Sequence, residues 1–203
     1  YHCAVSRASH AGAFAAGVGT TDLEVAILKG LAAFLDPKTI RVQVNGVLPR
    51  GVYAKDLILH IVSVLTVKGA TDHVIEFAGE GIEALSMEGR MTVSNMAIEA
   101  GGTSGMIAPD RTTAAYLWPF IKDEFPSPEA AVGEWSRWRS DPDVDYARVV
   151  EVDATKLTPL VTVGFRPDQV KTVDEAAGTP IDQVYIGSCT NGRIEDLRDA
   201  AAI

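Results

Sequence analysis

The chain has 203 residues, 47% of them hydrophobic, 22% charged and 7% aromatic, with a net charge of −9. This is the composition of a globular protein; it has no apolar run near the ~18 residues of a membrane span and no basic stripe for nucleic acid. The N-terminal YHCAVSRASH lacks the architecture of a secretory signal, and the two cysteines, Cys3 and Cys189, lie too far apart to read as a disulfide framework, so a reducing cytoplasm is expected.

In chain order, AGAFAAGVG is small and glycine-rich, suited to close backbone approach. Thr20-Thr21-Asp22 offers an N-cap for a helix carrying Leu23, Ala26, Ile27, Gly30 and Leu31 at helical spacing, with Asp36-Pro37 as its predicted end. TIRVQVNGVL alternates and predicts a strand and turn. YAKDLILHIVSVLTVKG places Leu57, Ile58, Ile61, Val62 and Leu65 on one helical face, and HVIEFAG predicts a short strand. EGIEALSMEGRMTVSNMAIEAG predicts two helices broken at Gly89 and stopped at Gly101-Gly102, followed by a glycine-rich loop. Residues 122–148 are polar and proline-rich, a surface connection with one short helix around Glu129–Arg139. ARVVEVDATKLTPLVTVGF returns to strands, RPDQVKTVDEAAGTP is a loop or linker, and IDQVYIGSCTNGRIEDLRDAA predicts strand, turn and helix. Alternating helices and strands define an α/β class.

Three stretches carry possible chemistry. In GSCTN, Cys189 stands where a strand ends and a helix begins; free backbone N–H groups there favour a thiolate, an anion or a metal-bound sulfur. A buried, inert thiol in a βα turn explains the same spacing. Cys3 is the only other thiol and no CxxC is present, so the chain's cysteines cannot complete a metal site by themselves. In SNMAIEAG, Asn95 and Glu99 stand four apart and share a face of an α-helix, as a polar pair able to orient a histidine or water, or as a solvated face. Ser9-His10 is a hydroxyl beside an imidazole, and a lone histidine is as readily structural.

Together, ALSMEGRMTVSNMAIEAG, TVKG with HVIEFAGEGI, and GTPIDQVYIGSCTNGRIEDL resemble the large subunits of the 3-isopropylmalate dehydratase family, within the aconitase superfamily. The resemblance runs from about Ala11 to the end, with a divergent patch at 118–150. It implies three-layer α/β domains and a 4Fe-4S hydro-lyase that interconverts 2- and 3-isopropylmalate in leucine biosynthesis by dehydration and rehydration. Three cysteines hold the cluster in that family, and Cys189 would be the first. The other two form a downstream CxxC that these 203 residues do not reach, so the chain is expected to be a fragment, inactive by itself. The family's Asp-Ser-His-Thr stretch corresponds here to Ala8-Ser9-His10-Ala11, with the aspartate absent. By resemblance His10 is catalytic, Glu99 is a catalytic residue that orients it, and Ser9, Asn95 and Asn191 line the substrate pocket. The implied partners are a small subunit, which carries the proton-abstracting serine, and a small dicarboxylate, with neither nucleic acid nor membrane. The expected layout is 1–37 as the end of a first α/β domain, 38–155 as a second, and 156–203 as a linker and the start of a third. Homoaconitase-type hydro-lyases share these motifs, and the altered Ser9-His10 stretch keeps a cluster-free binding or regulatory relative open.

Overall fold

The computed structural model describes residues 16, 19–32, 36–187 and 190–203. Its centre is a parallel sheet of β1 (Lys38–Asn45), β2 (His73–Ala78), β3 (Ser104–Ile107) and β4 (Arg148–Asp153), in the order β3-β2-β1-β4. The alternation in TIRVQVN sets its faces. Ile40, Val42 and Val44 are buried, as are their register partners Ile75 and Phe77 on β2 and Val150 and Val152 on β4. The opposite face is polar. There Arg41 Nη1 donates to Glu76 Oε1 and to the Tyr146 hydroxyl, both at 2.9 Å.

Helix α1 (Thr20–Lys29) precedes the sheet, and α2 (Ala54–Leu65) joins β1 to β2. The five apolar positions predicted for one face of α2 are all buried against the sheet. Burying side chains of this size contributes about 1.5–3 kcal/mol each, so this stripe is a principal source of the fold's stability. Asp56 ties down the start of α2: one carboxylate oxygen accepts from Tyr53 N at 2.8 Å, the other from Leu160 N at 2.7 Å. A short α3 (Glu80–Glu83), then α4 (Met87–Asn95) and a 3-10 turn (Met96–Ala100), lead to β3. Helices α5 (Arg111–Ile121) and α6 (Pro128–Trp135) follow, and the chain crosses back to place β4 on the other side of β1. A small antiparallel pair, β5 (Leu160–Thr162) with β6 (Val170–Thr172), leads into α7 (Val173–Ala176), and α8 (Ile194–Ala201) lies near the end.

Several local expectations are corrected. α1 is capped by Gly19 without a side-chain bond and stops at Gly30, whose φ of 66° suits glycine; it does not run to Asp36-Pro37. The break in the 80–100 region falls before Ser86, not at Gly89. Ser86 Oγ caps α4 by accepting from Gly89 N at 3.0 Å, which leaves Gly89 inside the first turn, where its low propensity costs least. Residues 104–107 of the expected glycine-rich loop form β3, and α5, for which no element was expected, continues through Pro119. The expected linker contains β6 and α7, opened by a reciprocal Thr172–Glu175 capping box. Residues 181–187 form no strand; Ile181, Val184 and Tyr185 are exposed, with no ladder partner among the described residues. The surface helix at 129–139 holds as α6 and a 3-10 turn at Ser136–Trp138.

Candidate active site

Ser9, His10 and Cys189 lie outside the described residues. The structure does show where the residues after Cys189 are seated. Thr190 is buried, against the start of α2 and the face of α4. Its hydroxyl accepts from Lys55 Nζ at 3.0 Å. Its carbonyl accepts from the Arg193 guanidinium and lies 3.2 Å from Thr92 Oγ1. Arg193 Nη1 also donates to Thr92 Oγ1 at 3.0 Å, and Ser86 Oγ donates to Glu195 Oε1 at 2.7 Å. The turn and α8 are thus held on α4 by polar contacts that span about 100 residues of sequence.

Asn95 lies one helical turn beyond Thr92 on α4, on the side that receives the turn. It is 4% exposed, and its Oδ1 is buried with no hydrogen-bond donor among the described residues. Asn191 shares that condition: its Nδ2 donates to Asp196 Oδ1 at 2.9 Å, while its buried Oδ1 has no donor. Asp196 also accepts from Arg193 N at 3.0 Å, which fixes the carboxylate and, through it, the direction of the Asn191 amide. A buried acceptor without a donor costs roughly 1–3 kcal/mol, so each of these two oxygens calls for an O–H or N–H from a ligand, a water or a residue outside the described ones.

Glu99 is half-buried in the 3-10 turn. The sequence places it on the Asn95 face, but that holds for α winding only. Four residues of α-helix advance about 400°, whereas four of 3-10 helix advance about 480°, so Glu99 is rotated away from the Asn95 side. β3 packs against the end of α4 at Gly105. A Cβ there would stand 2.6 Å from Ser94 O and 2.8 Å from Ala97 Cβ. Gly105→Ala is therefore expected to destabilise by about 1–3 kcal/mol, read as a lower urea midpoint, because backbone must shift beside Asn95.

The described residues contain no group of three or more His, Cys, Asp or Glu that would hold a metal. The described residues therefore do not supply a ligand set for a cluster by themselves. The residues that follow Cys189 would suit an anionic ligand next to them: Lys55 and Arg193 both donate to Thr190, and Asn191 keeps a buried Oδ1 with no donor among the described residues. Lys55, Thr92 and Arg193 were missed as site residues in the sequence. Thr92 lies within the quoted motif one turn before Asn95, and Arg193 four residues after Cys189, but nothing local says that the two meet.

A second polar concavity, of about 330 Å³, opens on the polar face of the sheet near Gln43, Ala78 and Ala108. Among its lining charges, Arg41 pairs with Glu76 and Arg90 with Asp110.

The model of the aconitase family (aconitate hydratase) matches residues 5–180, and the chain belongs to that family. Among curated relatives, the protein named 3-isopropylmalate dehydratase large subunit of Geobacter metallireducens is 63% identical over 95% of this chain and 45% of the relative. The protein of that name from Geotalea uraniireducens is 64% identical over the same shares. A more distant one, named probable 3-isopropylmalate dehydratase large subunit, from Methanothermobacter thermautotrophicus, is 45% identical over 95% of this chain and 43% of the relative. The chain therefore spans a little under half the length of these relatives. Among the described residues no helix is long and apolar enough to cross a membrane.

Proposed function

We propose that this chain is part of the large subunit of a cytoplasmic 4Fe-4S hydro-lyase that interconverts 2- and 3-isopropylmalate in leucine biosynthesis, working with a small subunit. The names of its relatives support the substrate. The observation that carries the chemistry is the stretch after Cys189, held on α4 through Thr190 and Arg193, together with the buried Oδ1 atoms of Asn95 and Asn191, which have no donor among the described residues.

In this reading Cys189 is one ligand of the cluster. When bound, the cluster supplies a Lewis-acidic iron that polarises the leaving hydroxyl. The Oδ1 atoms of Asn95 and Asn191 accept hydrogen bonds from the substrate hydroxyl or from the departing water and hold it in one orientation. Lys55 and Arg193 add positive charge beside a dianionic substrate and a thiolate-held cofactor. Ser9 contributes to substrate binding, and Glu99 orients His10 for proton transfer. The layout that goes with this reading puts 1–37 in a first domain, 38–155 in a second, and 156–203 across a linker into a third.

The test uses the full-length large subunit with its small subunit, purified anaerobically with iron. Turnover of isopropylmalate well above that of homocitrate is expected. Preference for homocitrate would identify the homoaconitase-type alternative. Absence of cluster absorbance after reconstitution would overturn the hydro-lyase reading in favour of a cluster-free binding relative.

A further inference from the structure

We propose that Asp196 is a positioning residue that sets the polarity of the Asn191 amide, so that the buried Asn191 Oδ1 accepts from the substrate hydroxyl, an inference that rests on the hydro-lyase reading above.

A carboxamide can turn either its oxygen or its nitrogen toward a neighbour, and the partners decide which. Asn191 Nδ2 lies 2.9 Å from Asp196 Oδ1. A carboxylate accepts and does not donate, so only the nitrogen end of the amide can face it. The oxygen end is then turned away from Asp196, and it is buried with no donor among the described residues. Asp196 is itself held, because its second oxygen accepts from Arg193 N at 3.0 Å at the start of α8. Turning it away would release that N–H as well as the amide. The residues on either side of this contact are tied to α4: Arg193 Nη1 donates to Thr92 Oγ1 at 3.0 Å, and Ser86 Oγ donates to Glu195 Oε1 at 2.7 Å. The carboxylate is therefore a fixed reference, and the amide takes its direction from it.

That direction selects the chemistry of the partner. An O–H or N–H relieves a buried acceptor, whereas a carboxylate oxygen in the same place adds repulsion. An isopropylmalate carries two carboxylates and a single hydroxyl, so the hydroxyl is the group that fits. Asp196 touches no substrate in this scheme; it acts through Asn191.

The experiment uses the full-length large subunit with its small subunit, reconstituted anaerobically with iron and sulfide. The probes are isopropylmalate and 2-isopropylsuccinate, the same dicarboxylate without the hydroxyl. The readouts are kcat/KM for isopropylmalate, the inhibition constant of isopropylsuccinate, and the urea midpoint of the cluster-free protein. In Asp196→Asn the side-chain oxygen still serves Arg193 N, so the new amide nitrogen faces Asn191 and inverts it. kcat/KM is expected to fall about tenfold or more, while the isopropylsuccinate constant stays within about twofold of wild type and the urea midpoint is unchanged. Asn191→Ala should lower kcat/KM to a similar degree. Adding Asp196→Asn to it should change kcat/KM by less than about twofold, because the carboxylate works through the amide. Wild-type kcat/KM in Asp196→Asn overturns the inference. So does an equal loss for isopropylsuccinate, or a loss undiminished on the Asn191→Ala background, since a merely structural residue gives those patterns. Should Asp196→Asn not assemble, Asp196→Ser takes its place in the same cycle, because it frees the amide without inverting it. A loss that vanishes on the Asn191→Ala background then supports the inference, and one that persists overturns it. Failure of the wild-type complex to load a cluster or to turn over isopropylmalate overturns the hydro-lyase reading and this inference with it.

Discussion

Cys189→Ser in the full-length large subunit, assembled with its small subunit, is expected to abolish turnover of isopropylmalate while leaving the sheet intact. The proposed function would put Cys189 in a three-thiolate ligand set, and serine offers a harder, more basic oxygen in place of a thiolate. Without the cluster the leaving hydroxyl loses Lewis-acid stabilisation of several kcal/mol. At about 1.4 kcal/mol per factor of ten, that is a thousandfold loss or more. Steady-state assay together with iron content checks it. Wild-type iron content and turnover in the variant would remove Cys189 from the ligand set. Far-ultraviolet circular dichroism should be unchanged, because the core among the described residues, Ile40 to Leu157, is built by the parallel sheet and the helices packed on it.

The largest expected losses of stability are at the Arg90–Asp110 pair, and they begin with the burial of Arg90. Its side chain is fully buried, and it donates to both carboxylate oxygens of Asp110, at 2.6 and 2.7 Å, and to Glu83 O at 2.8 Å. One guanidinium thus joins the end of α3, the middle of α4 and the N-cap of α5. Asp110 keeps 25% of its side-chain exposure, so its charge stays partly hydrated if the arginine is removed. The reverse does not hold. Asp110→Ala leaves a fully buried cation unpaired, with its Nε already lacking a partner. The expected cost is about 3 kcal/mol for Arg90→Met and nearer 5 kcal/mol for Asp110→Ala, read from urea unfolding. Equal, small losses would show that the pair contributes little.

The same pair sets an acid dependence. Burial alone pushes the Asp110 carboxyl up, but hydrogen bonds from Arg90 and the Thr113 N–H, with the Arg90 charge, outweigh it and hold it below its ordinary value. A carboxyl lowered in the folded state contributes stability that is complete above the unfolded value, about 3.9, and is lost as pH falls through the lower folded value. Wild-type stability should therefore decline below about pH 4. In Asp110→Asn that part of the decline should disappear.

How much of this is legible in the sequence depends on the range of the interaction. The α2 stripe and the alternation of β1 are local patterns set by burial on one face, and both appear as read. The GSCTN and NMAIEAG motifs are recognisable because their spacing is short. What escaped is either a local competition or a contact at long range. Ser86 outbids Gly89 as the boundary of α4 because a hydroxyl satisfies an N–H, whereas a glycine only lowers propensity. β3 is four residues of mostly small side chains, too short to show a period, and it becomes a strand because β2 offers it a ladder. Residues 181–187 show the converse, a strand-like run with no neighbouring ladder among the described residues. The bonds from Lys55 and Thr92 to Thr190 join positions about 100 or more apart, and no local pattern encodes them.

The strand order also has a consequence for the sequence of folding. Ile40 pairs with Ile75 on one side and with Arg148 on the other, so β4 closes a loop roughly three times longer than β2 does. Loop closure makes that later pairing costlier by about 1 kcal/mol, before any loss from ordering the connection itself. β1, α2, β2, α4 and β3 therefore form a low-contact-order nucleus, and β4 joins it afterwards. The surfaces that receive Thr190 and Arg193 lie wholly on that nucleus, at Lys55, Ser86 and Thr92. During synthesis the seat for Thr190 and Arg193 is thus expected to be complete before those residues leave the ribosome.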